Sequence, residues 1–316
     1  MTKKIIAGFV SCLSLLSLAA CGQSTTDEKT NESTAPTEVQ KEQTLTDAQG
    51  HEVTIPANPK RIIGSYLEDY LVALDEIPVA QWTVGKGSVQ KYLQEDLKDI
   101  PTINYDLPYE DVLSFEPDLL LIESDSAVEG GKYAEYEKIA PTYVVKNGTD
   151  ISWQERLEDI AKVLHKEDQA KQVEADYQQL IEETKESEEE KIAGKSAAVI
   201  WVTNNSAFMV AGNRSSGKLI YDELGFEMPE LTKQISEDAT ADFSQVSLES
   251  LSQLDADYLI LVNSDEKAEM FSDPLWENIP AVKNDQVFEY GPDKSWLYNG
   301  PIAYTKMLED IKESLQ

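Results

Sequence analysis

Hydrophobic and polar residues along this chain fall into three successive regimes. Residues 5–20 are an apolar run, 22–43 are polar with almost no large apolar side chain, and from 44 onward short apolar runs alternate with stretches of helical spacing. The short runs are "KRIIGS", "VAQWTVG", "DLLLIE" and "TYVV" in one half, and "SAAVIWVT", "AFMVAG", "DYLILV" and "DQVFEYG" in the other. Continuous apolar runs bounded by turn residues predict strands buried on both faces, as in parallel sheets covered by helices. Between them, "EDYLVALDEI", "YEDVLSFE", "SGKLIYDELGF", "SLESLSQL" and the terminal "PIAYTKMLEDIKESLQ" have helical spacing, with Pro108, Ser247 and Gly225 placed as start and stop signals. "LTDAQGHEVTIP" predicts a hairpin about a Gly turn. From Trp153 to about Glu190, apolar residues at Leu157, Ile160, Ala161, Leu164, Val173, Tyr177, Leu180 and Ile181 predict a long connecting helix. A break at His165–Asp168 is compatible with the pattern.

One short phrase occurs twice. "EDVLSFEPDLLLI" at 110–122 is matched by "ESLSQLDADYLIL" at 249–261, so that Glu110 aligns with Glu249 and Asp118 with Asp257. Each phrase is a short helix leading through an Asp turn into a central strand, at the same place in each half. The reading is a duplicated α/β fold: one lobe at 44–150, a connector at 151–193 and a second lobe at 194–316. Open α/β lobes bind ligands beyond the carboxyl ends of their strands, so two facing lobes form a cleft there. Residues near those ends are rich in aromatics: Tyr66, Trp82, Tyr105, Trp201, Tyr290, Trp296 and Tyr298. Singly, any of these could fill a core; as a set they predict an aromatic ligand wall.

The leader fixes the compartment that is expected. "MTKK" is a basic start, the apolar run is short for a membrane span, and it ends in Leu18-Ala19-Ala20-Cys21. Residues 1–20 therefore read as a signal peptide. Cys21 after small residues resembles the lipobox of bacterial lipoproteins, which implies cleavage before Cys21 and lipidation of its thiol. Cys12 leaves with the signal, so no disulfide or cysteine metal site remains. The polar stretch to 43 cannot bury enough surface to fold and predicts a flexible tether.

Charge narrows the partners. Against 27 basic residues stand 59 acidic ones, a net charge of −32, which argues against nucleic acid and against electrostatic docking on anionic lipid. Arginine is scarce, at Arg61, Arg156 and Arg214 only. Arg214 lies in the Gly/Ser-rich loop "AGNRSSGK", where it is either a solvated loop residue or a donor into the cleft. The same loop spells G-x-x-x-x-G-K but continues with Leu219, where a nucleotide loop needs Ser or Thr for Mg²⁺. His51 and His165 fall in the hairpin and the connector, and the carboxylates have no recognisable metal-ligand spacing. No nucleophile elbow or Cys–His pair is present, so the chain reads as a receptor and not an enzyme.

In their order and spacing, "NPKRIIGSYLEDYLVAL", "LPYEDVLSFEPDLLLI", "YEKIAPTYVV", "FSQVSLESLSQLDADYLIL" and "DPLWENIPAVKNDQVFEYG" resemble the substrate-binding lipoproteins of ABC importers for iron–siderophore complexes, the ferric hydroxamate binders in particular. That resemblance implies two Rossmann-like lobes joined by one long connecting helix, a class III periplasmic-binding-protein architecture. It implies a ferric siderophore of ferrichrome or ferrioxamine type as cargo, no cofactor of the protein's own, and a monomer on the outer face of a Gram-positive cytoplasmic membrane. It carries the permease contacts to Glu110 and Glu249. Trp296 and Tyr298 match an aromatic wall of the family. Hydroxamate binders often have Arg shortly before the first of those acids, whereas this chain has Asn104 there. The same architecture with a catecholate, haem, cobalamin or a bare metal ion remains the alternative.

Overall fold

The computed structural model describes residues 41–85 and 87–316. The expected signal peptide, the lipidated Cys21 and most of the tether lie outside these residues. Two short antiparallel strands, β1 (Gln43–Thr46) and β2 (Glu52–Ile55), open the fold as the predicted hairpin.

The first lobe is built on parallel strands: β3 (Ile62–Ser65), β4 (Gln81–Thr83), β5 (Thr102–Asn104), β6 (Leu119–Ile122) and β7 (Thr142–Val144). β3, β6 and β7 pair in that order, and β4 pairs with β5. A parallel bridge from Ile63 to Ala80 joins the two sets, giving the order β5-β4-β3-β6-β7. Chain direction across the sheet reverses between β3 and β6, which opens a crevice beyond their carboxyl ends. All four residues of β3 and of β6 are buried, as their unbroken apolar runs require.

The second lobe has β8 (Ala197–Thr203), β9 (Ser206–Val210), β10 (Phe243–Val246), β11 (Tyr258–Asn263) and β12 (Val287–Tyr290), in the order β10-β9-β8-β11-β12. β8, β11 and β12 are parallel, but β9 is antiparallel to both its neighbours. The sheet is therefore predominantly parallel, as expected, with β9 the one reversed strand. Only Asn204 and Asn205, both left-handed, separate β8 from β9, and a two-residue turn can join antiparallel strands only.

The duplicated phrase has one physical role in both halves. Asp118 accepts hydrogen bonds from the backbone of Lys60 (2.7 Å) and Arg61 (2.8 Å), just before β3. Asp257 accepts from the backbone of Ser196 (2.9 Å), just before β8, and from Lys195 Nζ (2.9 Å). Each aspartate thus clamps the start of the strand that its own strand pairs with, fixing register at the two lobe centres.

Six helices position the site: α1 (Glu68–Ala73), α2 (Tyr109–Ser114), α3 (Trp153–Leu164), α4 (Glu167–Ser187), α5 (Leu248–Leu251) and α6 (Pro301–Leu315). The connector is not one helix. α3 starts on a Ser152–Glu155 capping box and ends at His165, whose left-handed backbone (φ 54°) turns the chain before α4. α6 packs against both α4 and α1, so the last helix belongs to the first lobe as much as to the second. One buried apolar cluster runs from Ile62 and Leu119 through Leu157 and Tyr177 to Val199, Ile260 and Met307, and unites lobes, connector and α6.

Candidate functional site

Tyr66 is the first residue past β3, at the crevice between β3 and β6, and it holds a left-handed backbone (φ 56°). Its ring packs against Trp82 (centroids 4.5 Å apart) and against Tyr298 (6.3 Å), and Tyr298 in turn meets Tyr92 at 5.2 Å. Tyr298 comes from the loop before α6, so this cradle is assembled from segments far apart in the sequence. Burial raises the hydroxyls of Tyr66, Tyr92 and Tyr298 above the ordinary tyrosine range, and for Tyr66 the nearby Tyr298 and carboxylates add to it. All three stay neutral hydrogen-bonding groups at any physiological pH.

Carboxylates stand beside the cradle. Glu68 is buried at the start of α1, with one oxygen accepting from the Trp82 backbone and the other, Oε2, without a partner. Burial pushes its carboxyl up to about 7, against the hydrogen bond from Trp82. Glu123, directly after β6, also has Oε2 unpartnered, and burial raises it, opposed by Ser124 and by the nearby Arg156. Asp69 is fully bonded: Tyr92, Ile302 and Ala303 all donate to it. No sequence pattern singles out these acids, although Glu68 and Asp69 lie just past β3 and Glu123 just past β6.

Opposite, the loop after β9 and the start of α3 enclose a cavity of about 360 Å³. Arg214, Ser215 and Lys218 line it from the second lobe, Arg156 from α3, and Tyr70 and Tyr304 from α1 and α6. Arg214 Nη2 donates to the Ala239 carbonyl (3.2 Å) and Nη1 lies 3.8 Å from Asp242, while Nε has no partner. Arg156 Nε donates to the Lys146 carbonyl (3.0 Å). Helical periodicity gave no reason to single out Arg156; only the folded connector brings it to the cleft.

The structure sorts the expected aromatics. Tyr66, Trp82 and Tyr298 come together. Trp201 stands within β8, half-buried on one sheet face with Phe208 and Phe243, its indole N–H on Ser264 (3.0 Å). Tyr105 is 56% exposed beyond β5 and lies in the segment that leads to α2. Trp296 is not a cleft residue: its side chain is fully buried, stacked on Tyr290 at 5.0 Å and bonded through Nε1 to Asp310 (3.0 Å). Its place two residues before Tyr298 is misleading, because the loop turns between them and sends one ring inward and the other to the cleft. Glu110 and Glu249 are exposed in the first turns of α2 and α5. Asn104 is engaged locally, with Asp106 (2.6 Å) and the Gly85 backbone. Among the described residues no group of three or more His, Cys, Asp or Glu could hold a metal ion.

Two lobes gripping a polar, aromatic-walled cleft define a ligand receptor. A family model for periplasmic binding proteins matches residues 66–294, and the chain belongs to that family, the substrate-binding components of ABC importers, which bind cargo and do not transform it. Over its full length the chain is 27% identical to the iron(3+)-hydroxamate-binding protein YxeB of Bacillus subtilis strain 168, covering 97% of that protein. The FhuD protein from S. pseudintermedius superposes with a TM-score of 0.70 at 21% identity, over 87% of this chain and 98% of its own. SirA of Staphylococcus aureus, solved with staphyloferrin B, also reaches 0.70, at 23% identity over 86% and 98%. At these identities the two structures show the shared fold.

Proposed function

We propose that this protein is a lipid-anchored receptor that captures a ferric siderophore, of the hydroxamate type, and delivers it to an ABC permease. The observation that carries the reading is the inter-lobe cradle of Tyr66, Trp82 and Tyr298 with Arg214 across the cleft. Neutral phenols and indoles offer wide contact area and hydrogen bonds to a ligand whose iron is already fully chelated. Arg214 donates to the hydroxamate oxygens. A trianionic catecholate complex calls for a larger cationic surface than these arginines supply, in a chain of net charge −32. The name of the relative YxeB supports hydroxamate cargo.

Cys21 provides the anchor, and diacylation supplies the two chains that stable membrane attachment requires. Glu110 and Glu249 face the permease, one from each lobe. Exposed Tyr109 and Leu113 on the same helix as Glu110 suit a docking surface. The cargo is tested by titrating the purified protein with ferrichrome, ferrioxamine B and a ferric catecholate while following tryptophan fluorescence. Saturable quenching by the hydroxamates, and weaker or no quenching by the catecholate, is expected. Preference for the catecholate would reverse the assignment, and silence with all three would remove it.

A further inference from the structure

We propose that the connector end of the cleft is an adjoining subsite, sharing Arg214, for a carboxylate carried on an arm of the cargo; it rests on the siderophore reading for the molecule that bears the arm. Two of the chain's three arginines, Arg156 on the connector helix α3 and Arg214 in the second lobe, converge on the 360 Å³ cavity, with Lys218 beside them. Lys218 Nζ reaches the Thr149 carbonyl at 3.5 Å, so the cations span the gap between the lobes.

The unmet hydrogen-bonding capacity around this cavity is that of donors. Arg214 Nε, Trp153 Nε1 and Ser215 Oγ are all buried without a partner. Ser215 is 5% exposed and Trp153 6%, so water does not satisfy them readily. The first two can only donate, and a buried orphan donor costs roughly 1–3 kcal/mol. An acceptor placed against any of these donors relieves that cost.

The loop is wound to hold this arrangement. Ser215 has a left-handed backbone (φ 44°), and Gly217 sits so close to Ala211 and Gly212 that no Cβ fits there. Three acids also line the cavity, and none bonds to the orphan donors. Glu223 accepts from the Tyr177 hydroxyl, Asp242 faces Arg214 Nη1 at 3.8 Å, and Asp222 is exposed. A carboxylate suits these donors because its two oxygens accept hydrogen bonds and its charge is attracted by Arg156, Arg214 and Lys218.

Two derivatives of ferrioxamine B test this, one with the terminal amine acetylated (neutral) and one succinylated (a free carboxylate), titrated at about 0.15 M salt. The succinylated ligand should bind about tenfold more tightly, and the ratio should fall to about one in Arg156→Gln. A ratio of one or less in the unaltered protein, or one unchanged by the substitution, overturns the subsite. Failure of both derivatives to bind would instead strike the hydroxamate reading, and a second measurement judges the subsite without it. The indole ¹⁵N–¹H signal of Trp153, assigned by its loss in Trp153→Phe, is followed during titration with succinate and with inorganic phosphate. A saturating shift with succinate supports the site. No shift, or a shift with phosphate alone, overturns it.

Discussion

Asp69 and Ile302, 233 residues apart, are joined by a 2.9 Å hydrogen bond from the Ile302 backbone to the Asp69 carboxylate. The other carboxylate oxygen accepts from Ala303 (2.8 Å) and from the Tyr92 hydroxyl (2.8 Å). α6 has Gly300 at its N-cap and Pro301 at its first turn, neither of which offers a capping side chain. An aspartate from the first lobe does that work in their place, and in doing so holds the loop that carries Tyr298.

Removing this cap should loosen both the fold and the site. Asp69→Ala is expected to lower stability by about 2 kcal/mol, as loss of a helix cap does at its upper range. Gly300→Ala should have a similar effect, because Gly300 has φ 142° and a Cβ there overlaps Asp69. Urea unfolding of both variants measures this. A loss below about 0.5 kcal/mol in each, the level of ordinary surface substitutions, would show that α6 stands without Asp69.

Glu68 should give stability an unusual slope with pH. Its carboxyl is raised by burial to about 7 in the folded protein, above its value in the unfolded chain. The folded state therefore holds the proton more tightly, and the stabilisation is full in acid. It is lost as pH rises from about 4 to about 7, by an amount on the order of 3 kcal/mol. Glu68→Gln should flatten this slope in thermal melts taken across that range. An unchanged slope would place the titration elsewhere, with Asp69 as the neighbouring candidate.

Trp296 and Tyr298 separate packing from binding. Trp296→Ala should cost about 3–5 kcal/mol of stability, as large core truncations do. Tyr298→Ala should leave the melting temperature nearly intact and weaken ferrioxamine B binding by about tenfold, the scale of one lost aromatic contact. Melts and fluorescence titrations on both variants check the contrast, and the opposite pattern would put Trp296 in the site.

Asp118→Ala and Asp257→Ala should act alike, each costing about 1–3 kcal/mol through orphaned backbone donors at the start of β3 or β8. Hydrogen bonds from Ser196, then Lys195, hold the Asp257 carboxyl below the usual carboxylate range. Its contribution is therefore present at neutral pH and lost as pH falls through that lowered value. Chemical denaturation at pH 7 and at successively more acid pH distinguishes this from a pH-independent loss.

Glu110→Ala and Glu249→Ala together should abolish cellular uptake of the siderophore while leaving its affinity for the purified protein unchanged. Weakened affinity would place the two acids in ligand binding or in lobe stability instead of permease contact.

Much of this architecture was written into local pattern. The unbroken apolar runs at 119–122 and 258–263 specify strands buried on both faces, because no alternating polar residue is left to meet water. Asp118 and Asp257 repeat because each lobe has the same need to fix its central register. Tyr66 was legible as a residue just past such a strand. Other features were not. The antiparallel course of β9 depends on a two-residue turn whose consequence is non-local, and Trp296 and Tyr298 are alike in composition but sent to opposite sides by one loop. Arg156 resembles any solvated helix residue until α3 is set against the loop at 213–218. The sequence by itself determined which segments bury their faces, since that depends on the spacing of apolar groups along a few turns. Which polar groups meet was decided only by tertiary structure, because Asp69 and Ile302 are joined, and Arg156 and Arg214 are brought to one cavity, by packing of distant elements that leaves no periodic trace.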